Sequence, residues 1–188
     1  QVKGGIEKAF KIAGKILFFN PESPGVLGEY GEGGAGSLEI TIMRLIDARA
    51  EVIFGTKYFE DEGDVKYWLA GLEVSIPTGI ALGSSGVGIY GFKGGAYRHM
   101  DSPDEWTQNG MNYSPSRVQA EEGQAAAPFS DQDANTNYTV DPNVAFGLQA
   151  GVILGTVPTP NILTADVNLE MSFTTSGGLN KITIGGRA

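Results

Sequence analysis

Residues 67–100 read YWLAGLEVSIPTGIALGSSGVGIYGFKGGAYRHM. The even positions from Trp68 are Trp68, Ala70, Leu72, Val74 and Ile76. The odd positions, Tyr67, Leu69, Gly71, Glu73 and Ser75, are mixed. Successive side chains of an extended chain point to opposite faces, so this period of two predicts a half-buried strand whose apolar face meets the core. Pro77 has no N–H to give a ladder, which predicts the end of the strand or an edge position there. Gly83-Ser84-Ser85-Gly86 supplies the backbone freedom of a turn. The return strand holds Gly88, Gly91, Gly94 and Gly95 among Tyr90, Phe92 and Tyr97. Glycine at that density predicts bends and bulges with aromatic rings filling in above them, or else a ligand groove with a glycine floor.

The alternation recurs on both sides. Leu38, Ile40, Ile42, Ile46, Ala48, Ala50, Val52 and Phe54 share a parity, broken at 43–45, where a bulge or tight bend is expected. Glu39, Thr41, Asp47, Arg49 and Glu51 face the other way, as on a self-paired solvated surface. Val144, Phe146, Leu148, Ala150, Val152 and Leu154 repeat the pattern. The clearest strand is 163–173, where Leu163, Ala165, Val167, Leu169, Met171 and Phe173 alternate with Thr164, Asp166, Asn168, Glu170 and Ser172. A short strand around Ile182 and Ile184 closes the series. Residues 6–19 read as a strand despite helix-forming residues near Glu7, because Gly14 and the aromatic end favour extension. The expected fold is all-β: an antiparallel sandwich or partly closed barrel of about seven to nine strands. One long polar loop, 101–141, interrupts it, and loops of that length tend to carry function.

At 188 residues the chain is read as a single β-rich domain spanning 1–188. Its start at Gln1 and its glycine-rich close suggest a module or processed fragment of a larger chain. A net charge of −9 argues against nucleic acid, whose phosphates need clustered Lys and Arg. No apolar run approaches the roughly 20 residues of a spanning helix. Porin strands share the alternation, but too few strands for a roomy barrel and no aromatic girdle at both strand ends led to an expectation of a chain that is not membrane-spanning. Cysteine is absent, which rules out disulfides and thiolate chemistry.

Candidate chemistry is thin. His99 is the only histidine, so neither a histidine-rich zinc site nor a positioned base beside a nucleophilic serine is indicated. Glu73 and Glu170 are strand carboxylates that would have to meet across a groove to hydrolyse a glycoside. Trp68, Tyr90, Tyr97, Trp106 and Tyr113 are the rings suited to stacking on a sugar. Calcium is the one cofactor suggested: Asp131, Asp133, Asn135 and Asn137 place oxygen side chains at alternate positions, with Asp141 beyond. The glycine and the bidentate glutamate of a helix-flanked calcium loop are missing, and Asx side chains capping turns account for the same residues.

The segment 76–100, with its PTG-ALG, GIYGF and GGAYRHM runs, resembles a stretch of very large β-rich secreted or surface proteins of Bacteroidetes type. Residues 67–76 are similar too. The resemblance covers about a seventh of the chain and implies a structural module of an exported protein, with no catalytic residue to carry over. The expected function is therefore a non-catalytic structural or interaction module of an extracellular or cell-surface protein of bacterial type. Its partners would be other domains of the same polypeptide or neighbouring surface proteins. A carbohydrate-binding β-module is the alternative, and a carboxylate-dependent glycoside hydrolase a distant third.

Overall fold

A computed structural model describes residues 2–4, 10–43, 45–102, 138–158 and 162–187. The strands are β1 (Val2–Gly4), β2 (Phe10–Phe19), β3 (Glu32–Ile42), β4 (Ile46–Phe59), β5 (Gly63–Ala81) and β6 (Val87–Arg98), then β7 (Met100–Asp101), β8 (Thr139–Val140), β9 (Val144–Thr156), β10 (Thr164–Thr174) and β11 (Leu179–Arg187). A short 3-10 helix, Gly25–Tyr30, lies between β2 and β3. The all-β antiparallel expectation holds. Nine strands form one sheet in the order β1-β2-β3-β4-β5-β6-β9-β10-β11, and β7 pairs with β8 in a two-stranded flap. The sheet is not closed into a barrel.

Except for β6 and β9, which are joined through 99–143, every neighbour in the sheet is the next strand in sequence. The expected bend at 43–45 is a hairpin turn, with the Leu45 amide donating to the Ile42 carbonyl at 2.8 Å. The Gly83–Gly86 turn forms as read, closed by Leu82 N–H to the Val87 carbonyl at 2.8 Å. β5 runs on through Pro77 to Ala81, and Pro77 takes the unpaired position expected of it, beyond the last pair with β4 at Ser75. The ladder to β6 accommodates the missing N–H by skipping, from Ser75 paired with Gly91 directly to Ile80 paired with Ile89.

A larger correction concerns which face is buried. On β5, Val65, Tyr67, Leu69 and Ser75 are buried, whereas Trp68 and Leu72 lie on the surface. On β10, Asn168, Glu170 and Ser172 are 4%, 1% and 0% exposed, while Val167 and Leu169 are exposed. The alternation is as predicted, but the apolar parity points outward. One sheet, with only a small cap over it, buries these polar groups because it curls around its own inner face. Room there is short, so small and mutually paired side chains occupy it.

The apolar core is confined to one end of that inner face. Leu27 and Tyr30 of the helix and Met100, Tyr138 and Val140 of the flap region pack against Tyr67 and Tyr97 of the sheet. The Tyr30 hydroxyl donates to the Tyr138 carbonyl, and the rings of Tyr97 and Tyr138 stand 5.3 Å apart. Two segments far apart in sequence thus close one mouth of the curl.

Candidate functional site

The inner face carries a row of alternating charge fixed by strand register. Glu39 pairs with Arg49, Arg49 with Glu73, and Glu73 with Lys93. Arg49 Nε lies 2.6 Å from Glu51 Oε1, and Arg49 Nη1 lies 3.8 Å from Glu39 Oε1. Lys93 Nζ donates to Asp166 Oδ2 at 2.5 Å, and Asp166 Oδ1 accepts from Asn168 Nδ2 at 2.7 Å. Ions removed from water hold their charge only when paired and further hydrogen-bonded, and Lys93 with Asp166 meets that condition. Burial raises the Glu73 carboxyl above its ordinary value against the pull of Lys93 and Arg49.

Glu170 is held separately. Its Oε1 accepts from the Tyr97 hydroxyl at 2.6 Å, across β9. The two carboxylates considered for hydrolysis stand on β5 and β10, with β6 and β9 between them. Glu73 faces Lys93 and Arg49, and Glu170 faces Tyr97.

Of the five rings proposed to stack on a sugar, Trp106 and Tyr113 lie outside the described residues. Tyr90 is buried, its hydroxyl donating to the Thr156 carbonyl at 2.7 Å. Tyr97 is buried in the cap, and Trp68 stands on the outer face with its ring centroid 6.4 Å from that of Phe146. Those three do not share a platform. Asp131, Asp133, Asn135 and Asn137 also lie outside the described residues. Asp141 is described: its Oδ1 accepts from Asn143 N at 2.8 Å and from Asn143 Nδ2 at 3.1 Å, an Asx turn leading into β9. Among the described residues there is no group of three or more His, Cys, Asp or Glu side chains placed to hold a metal. His99 Nδ1 lies 2.8 Å from the Lys66 carbonyl, at the corner where β6 passes into the flap.

The outer face is the most extensive surface feature. In six strands it is free of charged side chains over runs that include 10–18, 34–42, 46–54, 68–76, 146–154 and 165–173. The windows coincide in register. Phe10 pairs with Ile42 and Ile42 with Ile46 at one end; Phe18 pairs with Gly34, Gly34 with Phe54 and Phe54 with Trp68 at the other. Across the sheet, Phe146 pairs with Phe173 and Leu154 with Ala165. The second boundary is therefore a row of aromatic rings, Phe18, Phe54, Trp68, Phe146 and Phe173. Just beyond it the same face turns polar, with exposed Glu32 on β3 and Lys66 and Asp64 on β5, while exposed Arg98 of β6 stands within the row, paired with Trp68.

Sequence reading missed the inner ion-pair row and the tyrosine cap. The parity of Asp166, Glu73, Lys93 and Arg49 was visible, but not that these residues would meet each other instead of water. In the cap, burial pushes the Tyr30 and Tyr138 phenols well above their ordinary range, with the charge of Glu29 adding to it at Tyr30 and that of Glu170 at Tyr138. Among the described residues no helix is long and apolar enough to cross a membrane. No protein-family model, curated protein or solved structure matches this chain.

Proposed function

We propose that this chain is a non-catalytic structural element of a bacterial extracellular or cell-surface protein, and that it works through the exposed apolar face of its sheet. The observation that carries this reading is the in-register, charge-free outer face, bounded at one end by aromatic rings and charges. Soluble monomers rarely leave contiguous apolar patches beyond a few hundred Å² uncovered, and larger ones mark interaction surfaces. Here exposed Phe18, Phe54, Leu72, Phe92, Leu148 and Leu169 lie on six different strands. The chemistry on the opposite face argues the same way. Glu170 is bonded to Tyr97, and Glu73 and Glu170 stand on strands separated by β6 and β9, which favours a structural over a hydrolytic role for both.

Sedimentation of the purified chain, with and without detergent micelles, tests the reading. The chain is expected to take up a belt of detergent, and without detergent to self-associate. A monodisperse monomer in plain buffer that binds no detergent would overturn it.

A further inference from the structure

The apolar face needs an occupant, and its form specifies one. We propose that the hydrocarbon of a lipid bilayer covers it, so that β2, β3, β4, β5, β6, β9 and β10 cross a membrane as part of a β-sheet wall. This rests on the reading of the outer face as the working surface and names its partner.

Three independent features favour lipid over a covering protein. The first is the inversion of polarity. Charged and amide side chains, including Lys93, Asp166, Asn168 and Glu170, fill the inner face, while the outer face of the six windows holds apolar residues and glycine. A water-soluble sheet does the reverse, because the hydrophobic effect draws apolar side chains away from water. Alternation of apolar-out with polar-in is the pattern of strands that have hydrocarbon outside and a polar interior.

The second is length. Each window spans nine residues, as in 10–18 or 68–76. A strand crossing a bilayer at a tilt of about 45° needs about 9–11 residues. A rise of about 3.3 Å per residue gives roughly 30 Å of strand and roughly 21 Å of height at that tilt, close to the apolar band of about 25 Å on such proteins. All six strands carry at least nine such residues, aligned in register. A bilayer requires that minimum of every strand, whereas a protein partner need not.

The third is the boundary. The row of Phe18, Phe54, Trp68, Phe146 and Phe173 separates the charge-free zone from Glu32, Asp64 and Lys66. Aromatic rings collect at the level of lipid headgroups, where an apolar body and a wet surrounding are both available. Backbone groups of β3, β4, β5, β9 and β10 are met by a neighbouring strand on both sides, while β2 meets β1 only over 12–14.

The chain contains no cysteine, so single probes can be placed cleanly. Nitroxide labels on Leu72→Cys and Leu169→Cys report mid-window positions, and a label on Asp64→Cys reports the far side of the aromatic row. The full chain is mixed with dilauroyl phosphatidylcholine vesicles, floated, and washed at alkaline pH. The expected result is flotation that survives the wash, with both mid-window labels open to oxygen and shielded from a water-soluble nickel relaxant, and the Asp64→Cys label open to nickel. Labels immobile and closed to both relaxants in an oligomer that does not float would overturn the bilayer proposal while leaving the interaction surface in place. Labels open to nickel in a monomer that does not float would overturn both. The two mid-window sites are on separate strands, so failure of one variant to fold leaves the other to decide.

Discussion

Tyr97 on β6 reaches across β9 to Glu170 on β10, its hydroxyl donating to Oε1 at 2.6 Å. The strand between them permits this only because it carries Gly147. A Cβ there would stand 2.0 Å from the Tyr97 ring. Gly147→Ala must therefore displace a ring that is itself buried against Tyr138, and overpacking of this kind costs about 1–3 kcal/mol. Tyr97→Phe removes the donor to a buried carboxylate, at about 1.5–3 kcal/mol. Gly94→Ala is the control, since its nearest neighbour would be 3.7 Å away. Urea unfolding of the three variants should leave Gly94→Ala near wild type and move the other two midpoints down.

Lys93 and Asp166 make the tightest ion pair of the inner face, with side chains 5% and 13% exposed. Lys93→Met strands the Asp166 carboxylate in a place built for a cation, and breaking such a pair from one side costs about 3–5 kcal/mol. Replacing both, as Lys93→Met with Asp166→Leu, should recover much of the loss, because neither charge is then left buried alone. Stability of the two single variants and the double variant measures the coupling. A double variant as weak as the sum of the singles would mean that the pair acts through other members of the row.

The cap titrates at the alkaline end. Burial raises the Tyr30 and Tyr138 phenols above their unfolded value, so the fold favours their neutral forms. Their contribution is fully present below the unfolded value of about 10 and is lost as pH rises beyond it. Stability measured between pH 9 and pH 11.5 should fall above about 10. In Tyr30→Phe, which cannot ionise at that position, the fall should be shallower. Tyrosine absorbance near 295 nm, followed in the same samples, should show phenols ionising with unfolding instead of ahead of it. A flat stability profile across that range would contradict this account of the cap.

Strand positions were legible in the sequence because a period of two survives in any environment. Residues 163–173 alternate strictly, and β10 runs from Thr164 to Thr174. The direction of the alternation was not legible from one strand alone. Trp68, Leu72 and Leu169 look like core residues by type, and only the curl of the sheet, set by strands distant in sequence, turns them outward. The sign lay in the opposite parity. Asp166, Lys93, Glu73 and Arg49 fall at positions that a water-facing strand has no need to match, yet the register sets opposite charges side by side and Lys93 bonds to Asp166. Glycines 147 and 151 on β9 likewise share the inner parity, where Tyr97 and Asn168 lie over them. Pro77 was legible as a position without a ladder partner, although the strand runs on past it.

Leu72 stands at the centre of its window and is half exposed, which makes it the sharpest test of what surrounds the sheet. If water met this face, Leu72→Arg would be a surface substitution and should change stability by no more than about 0.5 kcal/mol. If hydrocarbon meets it, an arginine at mid-depth costs about 2–4 kcal/mol, falling to about 0–1 near the interface. The expected outcome follows the second case. Leu72→Arg should lower stability in dilauroyl phosphatidylcholine vesicles by that amount, while Asp64→Arg, beyond the aromatic row, should change it little. Reversible urea unfolding from vesicles measures both. Because the two sites lie on the same face of β5, four residue pairs apart, the difference between them reports depth and not strand identity.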